Sequence, residues 1–177
     1  MNKYMTCMTT VRRTEEADIS AVLSIWDDGR RALAAAGVDQ WADGYPNEEI
    51  LRDDITKGHS YLVCVSRVPA ATAAIVPDKD IDYEADMVDG AWISDKKYCA
   101  VHRIATAASM KRKGLASFIM ESAARIAREN GCASLRIDTH DDNRVMQAFL
   151  ESAGFVRCGH IRLHRTGALR VAYEKLL

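Results

Sequence analysis

Residues 98–130 read YCAVHRIATAASMKRKGLASFIMESAARIAREN, and the order of patterns within this stretch decides the fold. Its opening, 98–106, is rich in small and β-branched side chains and reads as a strand. From Gly114 to Asn130 the residues Leu115, Phe118, Ile119, Ala123, Ile126 and Ala127 recur on one face, so this part reads as a strongly amphipathic helix. Between the two lie Lys111, Arg112, Lys113, Gly114, Leu115 and Ala116. A helix start offers backbone N–H groups without partners, a glycine permits close backbone approach, and a small residue at 116 leaves room, a combination suited to a diphosphate. A solvated turn ahead of an ordinary helix is the plainer alternative, and a single glycine does not choose between them.

Working outward, 133–138 reads as a further strand, 143–153 as a helix, and 155–163 with 169–176 as a closing hairpin around Thr166 and Gly167. Upstream, a strand at 9–13 precedes a helix in which Ile19, Val22, Leu23, Trp26 and Leu33 keep helical spacing up to Gly37. The segment QWADGYPNEEILRDDI (40–55) follows, with Asn47 placed to cap a short second helix whose first turn carries Glu48 and Glu49. Residues 60–66 and 70–76 read as a strand pair, and the acidic stretch 78–95 as a loop or extended hairpin.

The 177 residues fit one domain, and 48% hydrophobic with 28% charged residues is an ordinary globular composition. A net charge of -1 supplies no overall field toward nucleic acid or anionic lipid. Cys7, Cys64, Cys99, Cys132 and Cys158 are odd in number and lack CxxC spacing, which argues against a disulfide framework or zinc site and for a reducing, cytoplasmic setting. The leading MNKYMTCMTTVRR lacks the apolar run of a signal peptide, and no stretch of about 18 apolar residues is present to span a membrane. Dinucleotide-binding and nucleotide-hydrolysing loops are set aside, because there is no GxGxxG and Lys113 precedes its glycine without a following GK[ST].

The run Lys111–Ala116 resembles the phosphate-loop pattern [QR]xxGx[GA] of the GNAT superfamily of N-acetyltransferases, with Gly114 and Ala116 on the small positions and Lys111 where Gln or Arg is usual. Downstream, NRVMQAFLESAGF (143–155) is similar to that family's second motif. HRIAT, RIDTH and QWADGYP together resemble a bacterial subgroup. The resemblance implies an α/β fold of the GNAT type over residues 9–177: a mixed, mostly antiparallel sheet of about six or seven strands, a central splayed parallel pair (98–106 and 133–138), and helices on both faces. Acetyl-CoA would be the co-substrate. Ile104, Ala105 and Thr106 would bond its pantetheine arm through the main chain, Lys111, Arg112, Lys113, Gly114, Leu115 and Ala116 would hold the pyrophosphate, and Asn143 would touch the pantetheine or phosphate region.

Acetyl transfer to an amine needs a proton acceptor, a polarised carbonyl and, preferably, an acid for the departing thiolate. Period-two alternation puts Ala100, His102, Ile104 and Thr106 on one face of their strand. His102 is the first candidate base, since an imidazole of ordinary pKa about 6.5 suits the task at neutral pH. His140, ending the strand RIDTH, is the second. A buried, structurally bonded histidine is the competing reading for the first, and a solvated loop histidine for the second. Asp138, His140, Asp141 and Asp142 lack the glycine and terminal glutamate of a calcium loop, so no metal is expected.

Many members of the family carry a tyrosine seven residues after the motif asparagine as the acid. Leu150 stands there in this sequence, leaving Tyr173, Tyr98 or a water as substitutes. The acceptor site of the family implies Trp41 and Tyr45 as an aromatic wall, with Asp43, Glu48 and Glu49 drawing in a cation. The expected partner is a primary amine of a small molecule or peptide, with a homodimer left open; neither nucleic acid nor a membrane is expected. The cysteines offer no base-adjacent nucleophile, so transfer is expected to be direct. A non-catalytic acyl-CoA-binding module of the same fold is the alternative that Leu150 favours.

Overall fold

The computed structural model describes residues 8–85 and 87–177; Cys7 lies outside them. The chain runs β1 (Thr9–Arg13), α1 (Ile19–Ala35), α2 (Glu48–Thr56), β2 (Ser60–Val65), β3 (Val68–Val76), α3 (Ile81–Glu84), β4 (Asp89–Gly90), β5 (Tyr98–Thr106), α4 (Leu115–Glu129), β6 (Ser134–Thr139), α5 (Arg144–Ser152), β7 (Val156–Arg162) and β8 (Leu169–Leu176). The strands form one sheet in the order β1-β2-β3-β5-β6-β8-β7-β4. Every neighbouring pair is antiparallel except β5 and β6. The sheet has eight strands rather than six or seven, the addition being the two-residue β4.

Helices cover both faces, and strand alternation sorts the core between them. Val63, Val101, Leu135 and Tyr173 pack in the cluster that holds Leu115, Ile119 and Ala123 of α4 and Leu150 of α5. On the opposite face Leu62 and Cys64 meet Val22, Ile25 and Trp26 of α1 and Leu51 of α2. Full burial of each large apolar side chain stabilises the fold by roughly 1.5–3 kcal/mol, so the α4 stripe alone holds that helix firmly on the sheet. Asn47 caps α2 as its position suggests, Oδ1 accepting from the Ile50 N–H at 3.0 Å.

The 78–95 segment is mostly loop, interrupted by two short elements. It forms the single turn α3 and then β4, which pairs with β7 through Asp89↔His160 and Gly90↔Gly159. A fully buried carboxylate anchors it: Glu174 of β8 accepts from the N–H groups of Ile93 and Ser94 at 2.5 and 3.2 Å, from Ser134 Oγ at 2.6 Å and from Arg136 Nε at 3.1 Å. Trp92 in turn donates to the Tyr83 carbonyl at 3.2 Å. Four donors on one carboxylate compensate its desolvation and hold Ile93 and Ser94 against β6 and β8.

Two irregularities in β5 shape the space beside it. Parallel pairing with β6 covers only Tyr98↔Ser134, Cys99↔Leu135 and Ala100↔Arg136, after which the strands diverge. Against β3, His102 faces Ala74 and Ala105 faces Thr72, so Ala73 opposes both Arg103 and Ile104 in a bulge, with Arg103 at φ 54. A bulge shifts the alternation by one residue. Ile104 therefore packs against the α4 cluster and Ala105 against the α1 cluster, and the single face expected for Ala100, His102, Ile104 and Thr106 is not formed.

Candidate active site

The divergence of β5 and β6 opens a cleft of about 790 Å³. One wall is the free edge of β5 from Val101 to Thr106; another is the end of β6 from Ile137 to Thr139. Alternate residues along an unpaired strand edge aim N–H and C=O groups outward, so Ile104, Ala105 and Thr106 border the gap with main-chain groups available.

At one end stands the N-terminus of α4. Gly114 caps it in the left-handed region at φ 74, and no side chain caps the helix. A Cβ added at Gly114 would meet nothing within 4 Å. The first N–H groups of α4, the positive end of its dipole, thus face an open cradle beside Lys111, Arg112, Leu115, Ala116 and Ser117, which all line the cleft. Asp28 of α1 fixes the approach to this loop by accepting from the Ala108 N–H at 2.7 Å, a bond that holds its carboxyl below the ordinary range. Lys113 does not line the cleft; its Nζ lies 3.4 Å from Met110 Sδ. These residues fit a pyrophosphate.

The middle of the cleft holds His102 of β5, Asp138 of β6 and Asp80 at the start of α3, with Tyr83 of α3 buried behind them. His102 Nε2 lies 2.8 Å from Asp80 Oδ2, and His102 Nδ1 lies 3.9 Å from Asp138 Oδ1. The Tyr83 hydroxyl donates to Asp138 Oδ1 at 2.7 Å, and its ring leans on the imidazole at a centroid distance of 5.3 Å. Burial pushes the Asp138 carboxyl up, against the pull of His102, Tyr83 and Arg170. Burial acts on Asp80 in the same sense, yet the hydrogen bond and charge of His102 and the Asp82 N–H hold it below the ordinary range. In the neutral imidazole, Nε2–H donates to the ionised Asp80, which leaves the lone pair on Nδ1. The 3.9 Å gap to Asp138 is too long for a direct hydrogen bond and leaves that lone pair uncommitted.

His140 also lines the cleft, but its Nδ1 accepts from the Asp142 N–H at 3.1 Å. Its neutral form therefore carries the proton on Nε2 and presents a donor. Asn143 caps α5, with Oδ1 accepting from the Met146 N–H at 3.2 Å while Nδ2 donates to Gln40 Oε1 at 3.0 Å. Gln40 thereby ties the α1–α2 connection to the floor of the cleft.

Trp41 and Tyr45 both line the cleft. The Trp41 ring lies directly on α1: a Cβ at Gly29 would fall 2.9 Å from Trp41 Cζ3, so only glycine lets the indole seat there beside Ala105. The Tyr45 hydroxyl accepts from Arg103 Nη1 at 2.9 Å, and Arg103 also pairs bidentately with Asp54 at 2.7 and 2.9 Å. The bulge thus turns Arg103 toward α2. Of the acids expected to attract a cation, Glu48, paired with Arg52, and Glu49 do not line the cleft, and Asp43 does but is paired with Arg165; Asp80, Asp82 and Asp138 line it as well.

Leu150 is fully buried in the core under α4, so a side chain at this position does not reach the cleft; Met146 and Phe149 of the same helix do. Tyr173 is buried with its hydroxyl toward Glu151 Oε1 at 3.4 Å, and the Tyr98 hydroxyl accepts from the Asp80 N–H and donates to Glu84. Neither lines the cleft. Asp80 and Tyr83 were not singled out in the sequence; their only signal is acidic and aromatic character within a stretch that shows no period. Among the described residues there is no group of three or more His, Cys, Asp or Glu placed to hold a metal, and no helix long and apolar enough to cross a membrane.

The model of the acetyltransferase (GNAT) family matches residues 22–155. No curated protein matches the sequence. Among solved structures, a GNAT-family acetyltransferase from Streptococcus agalactiae superposes with a TM-score of 0.84 at 29% identity, over 96% of this chain and 95% of its own. A GNAT-family acetyltransferase from Listeria monocytogenes shares the fold at a TM-score of 0.73 and 20% identity, covering 96% and 95%. So does the PaiA N-acetyltransferase from Thermoplasma acidophilum in complex with coenzyme A, at 0.69 and 13%, covering 96% and 99%. The family match across most of the chain, together with the splayed β5–β6 pair and the open helix start beside it, establishes that this chain belongs to the acetyltransferase (GNAT) family, whose general activity is acetyl transfer from acetyl-CoA.

Proposed function

We propose that residues 9–177 act as one cytoplasmic N-acetyltransferase domain that moves the acetyl group of acetyl-CoA directly to a primary amine of a small molecule or peptide. The observation that carries this reading is the His102 imidazole in the cleft, with Nε2 bound by Asp80 and Nδ1 free. Acetyl-CoA supplies the activated thioester carbonyl. Lys111, Arg112 and the first N–H groups of α4 bind the pyrophosphate, and the main chain of Ile104–Thr106 holds the pantetheine arm along β5. Asn143 braces the neighbouring helix start.

The acceptor arrives as an ammonium ion, drawn by Asp82 and Asp138 and bounded by Trp41 and Tyr45. His102 Nδ1 takes one proton from it, and Asp80 stabilises the imidazolium that forms. The freed amine forms the new N–C bond as the C–S bond breaks. The second amine proton passes through water to the departing sulfur, a thiolate of ordinary pKa about 8.5 that leaves readily, while the His140 N–H can donate a hydrogen bond to it. A non-catalytic binding module would not require an ordered Asp–His pair, and Leu150, in the core, does not speak for one.

Thiol release from acetyl-CoA over a panel of primary amines tests the reading. Amine-dependent release that saturates supports it; saturable acetyl-CoA binding with no release on any amine overturns it in favour of the binding module.

A further inference from the structure

The arginines around the acceptor half of the cleft differ in what they do. Arg103 is consumed by Asp54 and Tyr45, and Arg165 by Asp43 and the Tyr45 ring, 4.7 Å away. Arg170 lines the same cleft, yet no carboxylate among the described residues lies within 4.0 Å of it, and its Nη1 donates only to the carbonyl of its neighbour Leu169, at 2.9 Å. Strand register fixes its position. Asp138 of β6 faces Ala172 of β8, and Arg170, two residues earlier, shares the face of Ala172. It is therefore the diagonal cross-strand neighbour of Asp138, at a spacing of roughly 7–8 Å, and somewhat less between Cβ atoms, in a regular sheet. Its charge acts on Asp138 across the cleft floor.

We infer that Arg170 binds an anionic group of the acceptor, so that the amine acetylated is that of a free α-amino acid or another small molecule with a carboxylate close to its nitrogen. The inference rests on the acetyltransfer reading above and narrows it. With the ammonium between His102 Nδ1 and Asp138, a carboxylate whose carbon is two or three bonds from the nitrogen falls within the sweep of the Arg170 guanidinium, which can grip it through two parallel N–H groups. A cleft that offered only Asp80, Asp82 and Asp138 would suit a simple cation; the unpaired arginine beside them makes the site complementary to a zwitterion. A peptide N-terminus, whose carboxyl is an amide, leaves Arg170 unsatisfied. The competing role for Arg170 is a mere counter-charge to the acids of the floor.

The test is kcat/KM for acetyl transfer to the encoded L-amino acids with a primary amine, each beside its matched amine lacking the carboxylate. At least one amino acid is expected to exceed its matched amine tenfold or more. Arg170→Gln is expected to cut the rate on that amino acid at least tenfold through KM and leave the matched amine within twofold, and Arg170→Lys to recover part of the loss. Matched amines equal to or better than every amino acid overturn the inference, as does an equal loss on both members of a pair, the mark of a counter-charge. In both cases acetyl transfer itself stands. Absence of release from every member of every pair, with acetyl-CoA bound, removes the acetyltransfer reading and this inference with it.

Discussion

Asp80 and His102, 22 residues apart in sequence, meet at 2.8 Å, and the Asp80 N–H is itself held by the Tyr98 hydroxyl of the same strand as His102, at 2.9 Å. The pairing sets the imidazole with its Nδ1 lone pair free. Replacing His102 by Ala is therefore expected to lower kcat by about 10²-fold or more, the usual contribution of a positioned base, with the acetyl-CoA dissociation constant unchanged. Steady-state kinetics beside a binding titration reads both. Unchanged kcat would return His102 to a structural role.

The two carboxylates around His102 should have opposite effects on stability. Asp80 is held below the ordinary range, so its contribution is present above the unfolded-state pKa and is lost as pH falls through the folded value. Asp138 is pushed above it by burial, so the folded state gives up its proton later, and stability falls as pH rises from the unfolded through the folded value. At neutral pH, Asp80→Asn should destabilise and Asp138→Asn, whose amide oxygen can still accept from Tyr83, should stabilise. Both differences should shrink toward acid pH in urea unfolding series. The same sign for both variants at pH 7 would contradict this assignment.

Gly114 can be tested without confusing charge with strain. Its φ of 74 is tolerated by Asn and Asp alike, and a side chain there projects into open space. Gly114→Asp should weaken acetyl-CoA binding at least tenfold more than Gly114→Asn does, because only the former sets a negative charge beside the pyrophosphate. Equal affinities for the two variants would remove the loop from the binding site.

Leu150→Tyr, which the family pattern would suggest as a repair of the missing acid, should act as a core mutation. The position is fully buried, and overpacking costs about 1–3 kcal/mol. A drop in melting temperature without a gain in kcat is expected; a raised kcat would show that the hydroxyl reaches the cleft.

Much of this fold was legible because strand and helix periods were clean: β1, β5 and β8 fall at the expected residues, and the start of α4 marks the phosphate cradle. The chemistry was harder to read. Asp80 lies in a stretch without period, and its pairing with His102 and Tyr98 is a tertiary contact, which no local pattern encodes. The facing of Ile104 and Ala105 depends on one backbone angle at Arg103, invisible in residue types. Leu150 shows the limit of carrying over a motif by position, since the rotation of α5 decides which residues meet the cleft.

We propose that the gap between β5 and β6 is an acetyl-CoA site serving His102. Calorimetric titration of the purified protein with acetyl-CoA, checked by thermal denaturation, tests it most directly. One saturable site is predicted, with a stabilisation of about 2.7 kcal/mol at a ligand concentration 100 times the dissociation constant. No heat of binding and no thermal shift would contradict the claim.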